Sequence, residues 1–309
     1  MSASAVEMVQ GDGYWIGRFN AMASPCELLI EEPSRQRAER LTRIAANEAW
    51  RIEAKFSRYR TNNIVARINN ANGKSVDVDS ETANLLDLAD NCYQLSEGLF
   101  DITSGILRHA WRFDGSDHLP NTQAVESLLP YVGWHKVRWE RPTLKLQAGM
   151  EIDLGGLGKE YAVDRCALLL QQHHKSGLLI NFGGDIFSTG PRQGGIPWTA
   201  SIEDPDDNGA TGVGQIRFLR GGLTTSGDAR RFLLKDGVRY SHILNPKTGW
   251  PIPDAPRSVT VLANGCMEAG LLSTLAMLRG KDATLFIKSQ GVPYWVCWAS
   301  ESSESAGFN

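Results

Sequence analysis

The 309 residues suffice for one large domain or two interleaved ones, and 42% hydrophobic with 22% charged residues are ordinary globular values. With 32 basic against 35 acidic residues the net charge is −3, which leaves no electrostatic case for nucleic acid or an anionic membrane surface. Met1 to Asp12 lacks the basic and apolar regions of a secretory signal, no apolar run of about 18 residues occurs, and the five cysteines are scattered without a C-x-x-C pair. The sequence thus predicts a cytoplasmic, reduced protein with no membrane insertion, disulfide framework or structural zinc.

In chain order, residues 1–13 and 300–309 read as loose termini around a single domain over residues 14–299. Tyr14 to Glu31 holds two strand-like runs around Asn20 to Pro25. A helix capped near Ser34 follows, with Leu41, Ile44, Ala45, Ile52 and Phe56 on one face. After the loop Ser57 to Arg60 comes a short helical piece from Asn62-Asn63 to Ile68. Ser80 is expected to cap a second long helix carrying Leu85, Leu88, Ala89, Cys92 and Leu95, ending at Gly98. Gly98 to Asp114 is apolar but interrupted by Asp101, Thr103 and Trp111, which suggests the polar-studded wall of a site.

A short helix near Gln123 to Leu128 leads to alternating strands at Trp134 to Trp139 and Leu144 to Ile152. Then comes the stretch Asp153-Leu-Gly-Gly-Leu-Gly-Lys-Glu-Tyr-Ala-Val-Asp164, followed by an apolar stripe of Ala162, Val163, Cys166, Leu169 and Leu170 at helical spacing. Gly155, Gly156 and Gly158 therefore lie at a strand-to-helix turn. Backbone N–H groups there sit near the positive end of a helix dipole and suit a phosphate, with Lys159 as an added cation. A plain tight connection with a solvated lysine is the other reading of the same residues. Spacing excludes a Walker A loop and the dinucleotide fingerprint. Leu178 to Phe182 is a continuous apolar strand ending at Gly183-Gly184-Asp185. Further strands are expected at Trp198 to Ile202, Gly214 to Leu219, Gly237 to Leu244, Ser258 to Ala263 and Tyr294 to Trp298, with helices at Met267 to Leu278 and on to Ser289. Strands and helices mix without a βαβ period, so the fold class is α+β, with mostly antiparallel sheets packed against helices.

Four more clusters carry polar groups on turn-like residues: Gly98 to Thr103, Asn181 to Asp185, Thr225-Ser226-Gly227-Asp228, and Tyr240 to Gly249 with His242 at a strand end. Each alone reads equally as a turn. In this order, together with the glycine turn, they resemble the ApbE family, the FAD:protein FMN transferases. The family's D-L-G-G-x-x-K-G-Y-A-x-D resembles Asp153 to Asp164, its N-x-G-G-D Asn181 to Asp185, and its S-G-D with H-I-x-[DN]-P-x-T-G Ser226 to Asp228 and His242 to Gly249. The likeness runs from about Phe19 to Gly280.

That resemblance implies an ApbE (T-fold-like) fold and an enzyme taking FAD as substrate. It would transfer FMN through its phosphate to a threonine hydroxyl of an acceptor protein and release AMP. It also implies that Tyr59 faces the flavin and that Met22, Ala23 and Ser24 line it, with Leu99, Phe100 and Asp101 at the flavin or adenine end. Lys159, beside Gly156, would reach the phosphates, and Asp164, His242 and Thr248 would complete the pocket. Lys159 and His242 are the expected catalytic groups. A magnesium ion would be held by Thr274, the Gly158 backbone carbonyl and a carboxylate at the position that is Gly270 here. Without that carboxylate the cation should be weakened, because Mg²⁺ usually takes one or two carboxylates besides phosphate oxygens. Glu268 lies about 200° round the helix from Gly270 and should point elsewhere. A second departure puts Glu160 where the family favours glycine, beside Lys159. An FAD-binding protein with little turnover and an FAD pyrophosphatase are the alternatives.

Overall fold

The computed structural model describes residues 5–205, 212–299 and 302–308. Its frame is a nine-stranded antiparallel sheet. Among the described residues sixteen strands form: β1 Glu7–Gln10, β2 Trp15–Ala21, β3 Ser24–Ile30, β4 Val76–Asp77, β5 Arg138–Glu140, β6 Thr143–Lys145, β7 Leu178–Phe182, β8 Asp185–Ser188, β9 Trp198–Glu203, β10 Gly212–Phe218, β11 Gly221–Gly227, β12 Phe232–Lys235, β13 Val238–Ser241, β14 Ser258–Ala263, β15 Tyr294–Cys297 and β16 Ser303–Ala306. The large sheet runs β1-β2-β3-β7-β8-β11-β14-β15-β16, and β4-β6-β5, β9-β10 and β12-β13 form smaller ones.

Among the described residues seven α-helices pack around these sheets: α1 Arg35–Phe56, α2 Ile64–Asn69, α3 Ser80–Leu95, α4 Thr122–Leu128, α5 Gly158–His173, α6 Cys266–Leu278 and α7 Ala283–Ser289. One face of the large sheet is covered by α1, α5 and α6. The other receives the β9-β10 hairpin through Trp198, Ala200, Ile202, Ile216 and Phe218 against Leu179 and Leu223. Strand β7 is thus covered on both sides, which explains its unbroken apolar run where a one-sided strand would alternate. Helix α1 turns Ala38, Leu41, Thr42, Ala45, Ala46, Ala49, Ile52 and Phe56 inward. Each large apolar side chain buried this way contributes about 1.5–3 kcal/mol. The helix comes so close to the sheet that a Cβ at Gly17 would stand 2.0 Å from Thr42 Oγ1, so β2 needs glycine there.

Several expectations are corrected. The termini are not loose throughout: Glu7–Gln10 and Ser303–Ala306 form the edge strands of the large sheet. The cap of α3 is Asp79, which accepts from the N–H groups of Glu81 and Thr82, and the helix stops at Leu95, which is 79% exposed. Trp134–Lys136 is a 3-10 turn before β5. The strand expected to reach Ile152 ends at Lys145, because the chain turns at Gln147 to Met150, where the Met150 N–H donates to the Gln147 carbonyl at 3.1 Å and Gly149 has φ of 86°. Beyond the turn the Asn69 side chain takes the role of a neighbouring strand. Its Nδ2 donates to the Ile152 carbonyl at 3.0 Å and its Oδ1 accepts the Ile152 N–H at 2.8 Å. Strands β4, β8, β11 and β12 form where the sequence pattern predicts none.

Candidate active site

Asp153 anchors the glycine turn from three sides. Its N–H donates to the Ile102 carbonyl at 2.8 Å, its Oδ1 accepts the Gly155 N–H at 2.9 Å, and its carboxylate pairs with Arg58. A Cβ at Gly105 would fall 2.3 Å from Asp153 Cβ, so the two segments touch backbone to side chain. Arg58 also holds Tyr59: its Nη2 donates to the Tyr59 hydroxyl at 2.8 Å and its guanidinium lies 4.9 Å from the ring centre. Tyr59 itself is 78% exposed, an aromatic face open to a ligand.

Helix α5 starts at Gly158, so Lys159 and Glu160 occupy its first turn. Across from them is the turn Asn181–Asp185. Asn181 Oδ1 accepts the Gly184 N–H at 2.9 Å, and Gly183 and Gly184 have φ of 60° and 101°. Glycine at 183 is doubly needed, since a Cβ there would stand 2.8 Å from Ser24. This close fit places the Met22-Ala23 hairpin tip beside the Asn181–Asp185 turn. Met22 and Ala23 both have positive φ, 53° and 55°, the backbone of a two-residue hairpin turn that normally selects glycine or asparagine.

Asp185 begins β8 and is buried, and Lys159 Nζ lies 2.9 Å from its Oδ2. Burial works against the Lys159 charge, but the Asp185 and Glu160 carboxylates outweigh it and raise its pKa, so the lysine is charged at neutral pH. Burial, followed by the neighbouring Asp185, pushes Glu160 up to about 8. One lysine faces two carboxylates: Asp185 is in direct contact with it, and Glu160 is left with Oε2 buried and unpartnered. The Glu160 side chain fills the space beside Gly270, where a Cβ would come within 2.8 Å of its Cγ and 3.2 Å of its Oε1. The two departures from the family pattern are therefore in contact.

One turn further along α6, Thr274 Oγ1 is 2.9 Å from Ser226 Oγ, which also meets Ser273 Oγ at 2.8 Å. Asp228 faces away and is taken up by Arg257 at 2.7 Å. Glu268 is at the exposed start of α6, accepting the Asn264 N–H. Asp164 is the cap of α6 supplied from another helix: its Oδ1 accepts the Cys266 N–H at 2.7 Å and its Oδ2 the Met267 N–H at 2.9 Å. Among the described residues no three His, Cys, Asp or Glu side chains gather to hold a metal by themselves.

His242 follows β13. Its Nδ1 is 3.1 Å from the Arg231 carbonyl, which can only accept, so Nδ1 carries the proton and Nε2 presents a lone pair. Burial and then the Arg231 charge push its pKa down to about 4, so the ring is neutral near pH 7. Phe113 meets the His242 ring edge to face at 6.3 Å and stacks on Trp111 at 5.3 Å, and Trp111 Nε1 donates to the Gly249 carbonyl. This aromatic layer joins the 98–114 wall to the histidine loop. Thr248 is exposed on that loop, its Oγ1 accepting the Trp250 N–H. Phe100 packs near Gly156. Asp101 is buried, with Oδ1 accepting from Thr103 and Oδ2 from the Trp134 N–H, so both its oxygens are satisfied within the chain.

The structure thus gathers Lys159, Asp164 and the Met22–Ser24 tip around Asp185 and Glu160, with Thr274 on Ser226 one helical turn after Gly270, Tyr59 tied to the glycine turn through Arg58, and His242 within the electrostatic reach of Lys159. Asp101 and Thr248 bond within their own neighbourhoods. Arg58 and Phe113 are not marked as site residues by the sequence; Asp185 and Asp228 are carboxylates that could replace the missing one at 270 if folded close, and of these Asp185 lies at the site on Lys159 while Asp228 is taken up by Arg257. The signal for Asp185 is its place in Asn181–Asp185.

The profile of the ApbE family matches residues 22–295. A relative from Haemophilus influenzae named FAD:protein FMN transferase is 30% identical over 246 residues, 76% of this chain and 71% of that one. One of the same name from Vibrio cholerae is 30% identical over 75% of this chain and 71% of its own. Among solved structures, an ApbE protein from Thermotoga maritima superposes with a TM-score of 0.84 at 30% identity, covering 95% of this chain and 97% of the other. The flavin transferase ApbE from Vibrio cholerae gives 0.77 at 26% identity, over 98% and 97%. From the sequence, the fold and these likenesses, the chain belongs to the ApbE family.

Proposed function

We propose that the protein is an FAD:protein FMN transferase that moves FMN from FAD to the hydroxyl of a threonine or serine on an acceptor protein. The observation that carries the reading is the meeting of Lys159 with Asp185 at the glycine turn, in a chain whose relatives bear that name. In the reaction a P–O bond forms from the acceptor hydroxyl to the FMN phosphorus, and the pyrophosphate P–O bond breaks to release AMP. Charge spreads over the phosphate oxygens, so positioning and neutralisation dominate. Lys159, held charged, provides a cation directed at those oxygens, and the glycine turn adds backbone N–H groups. His242 Nε2 has the free lone pair to take the hydroxyl proton. Met22, Ala23, Ser24, Tyr59, Leu99 and Phe100 would border the flavin, with Gly156 at the phosphates, Thr248 at the rim and Asp101 and Asp164 holding the walls.

The residues present fit a divalent cation, since an unpartnered carboxylate oxygen of Glu160 is buried two residues after Gly158, and its side chain lies beside Gly270, one helical turn before Thr274. Magnesium bound there would neutralise phosphate charge in the transition state. Five free, buried cysteines support a reducing, cytoplasmic setting. Among the described residues no helix is long and apolar enough to cross a membrane.

The test is incubation with FAD, Mg²⁺ and an acceptor protein carrying a Ser/Thr-Gly-Ala-Thr site. AMP and flavin-labelled acceptor are expected in equal amounts. Release of FMN without acceptor would favour a pyrophosphatase, and absence of AMP would remove the transferase reading.

A further inference from the structure

We infer that Glu160 supplies this site's carboxylate for a divalent cation, occupying the volume that a side chain at position 270 would take. The inference rests on the transferase reading for the identity of the site. It is carried by three observations about this chain. The Glu160 Cγ and Oε1 lie 2.8 Å and 3.2 Å from where a Gly270 Cβ would be, so an aspartate at 270 and the glutamate at 160 compete for one space. The Glu160 carboxylate has a buried oxygen with no hydrogen-bond partner, an expensive state for a polar group unless something else binds it. The lysine beside it is committed elsewhere, since Lys159 Nζ lies 2.9 Å from Asp185 Oδ2.

Asp164 is bound by the start of α6 and Asp185 by Lys159, so Glu160 is the carboxylate of the three with an oxygen left unpartnered for a cation. Thr274 is one helical turn beyond Gly270, which puts its hydroxyl on the same side of α6. One carboxylate, a threonine hydroxyl, a backbone carbonyl and substrate phosphates are a set of hard oxygen donors suited to Mg²⁺ or Mn²⁺. A side chain one residue after Lys159 would thus replace one from a helix over a hundred residues away, with the ligand chemistry unchanged. Neither substitution makes sense alone: glycine at 270 without Glu160 leaves a void, and Glu160 with an aspartate at 270 leaves a clash.

The metal-stripped full chain is titrated with Mn²⁺, followed by loss of the free-ion EPR signal, with and without FAD. FAD binding is followed separately by quenching of flavin fluorescence. The wild type should bind one Mn²⁺ in the presence of FAD. Glu160→Gln keeps the shape and removes the charge; it should weaken Mn²⁺ at least about 10-fold, while circular dichroism and melting confirm folding. Gly270→Asp alone should not strengthen binding, because the new side chain meets Glu160. Glu160→Gly combined with Gly270→Asp should recover Mn²⁺ affinity relative to Glu160→Gly. Mn²⁺ affinity within about 2-fold of wild type in Glu160→Gln, or no recovery in the double variant, overturns the inference whether or not FAD binds. Failure of the wild type to quench flavin fluorescence overturns the transferase reading and leaves the Mn²⁺ comparison to decide on Glu160.

Discussion

Replacing Asp164 tests whether this family-pattern acid acts by holding the scaffold. Helix α6 has Gly265 at its N-cap with no side-chain cap of its own, and Asp164 reaches across from α5 to bind the first two N–H groups. A Cβ at Gly265 would stand 3.0 Å from Asp164 Oδ2, so the glycine leaves room for the carboxylate. Each charge-assisted bond contributes about 1.5–3 kcal/mol when its donor would otherwise be stranded, and a lost N-cap costs about 0.5–2 kcal/mol. Burial of the carboxylate, which raises its pKa, offsets part of this. Asp164→Ala is therefore expected to cost about 2–3 kcal/mol and Asp164→Asn, which keeps one acceptor, about 1–2 kcal/mol. For a chain of this size that lowers the Tm by roughly 2 °C per kcal/mol. Urea denaturation of flavin-free protein measures the cost, and hydrogen exchange at the start of α6 should localise it. Asp164→Ala with wild-type stability but lost FAD affinity would refute the reasoning and make Asp164 a direct ligand.

Lys159→Ala should lower kcat/KM for AMP release by at least about 100-fold and also cost about 3 kcal/mol, because Asp185 is left buried without its cation; wild-type turnover in the variant would exclude the lysine from the phosphates. Glu81 accepts from Arg51, Lys55 and Tyr161, and Arg51 first among these draws its pKa down to about 2. Since the folded value lies below the unfolded one, its stabilisation is present above about pH 4.5 and is lost as pH falls through about 2. Glu81→Gln should therefore flatten the acid limb of a stability-against-pH curve, by about 1–2 kcal/mol after allowing for partial exposure. A neutral His242 with a pKa of about 4 predicts that kcat/KM falls as pH drops through about 4 rather than 6.5, and that His242→Gln abolishes that limb.

The parts of the fold legible in the sequence are those where one rule dominates. The face of α1 follows from apolar spacing, and β7 from its unbroken apolar run. The sequence was silent where a partner distant in the chain decides. Asn69 takes the place of a neighbouring strand at Ile152, and β11 contains too many glycines and hydroxyls to look like a strand until Thr225 and Ser226 are seen beside β14 and α6. At the site, the residue types and their order were readable, and the glycine turn does begin a helix bearing Lys159. The relation between Glu160 and Gly270 was not, since each read separately looks like a loss. Only the packing of α5 on α6 makes them one exchange.

The Met22-Ala23 hairpin tip has a consequence for how this protein tolerates change. Left-handed backbone costs a side-chain-bearing residue about 1–2 kcal/mol, and glycine avoids that cost. Two glycines at the tip would therefore close the hairpin more easily and make the fold more robust. The chain instead keeps a thioether and a methyl group there, next to Ser24, whose side chain lies against the Asn181–Asp185 turn. Stability is traded there for surface, and screens that reward thermal resistance alone will erode this tip first.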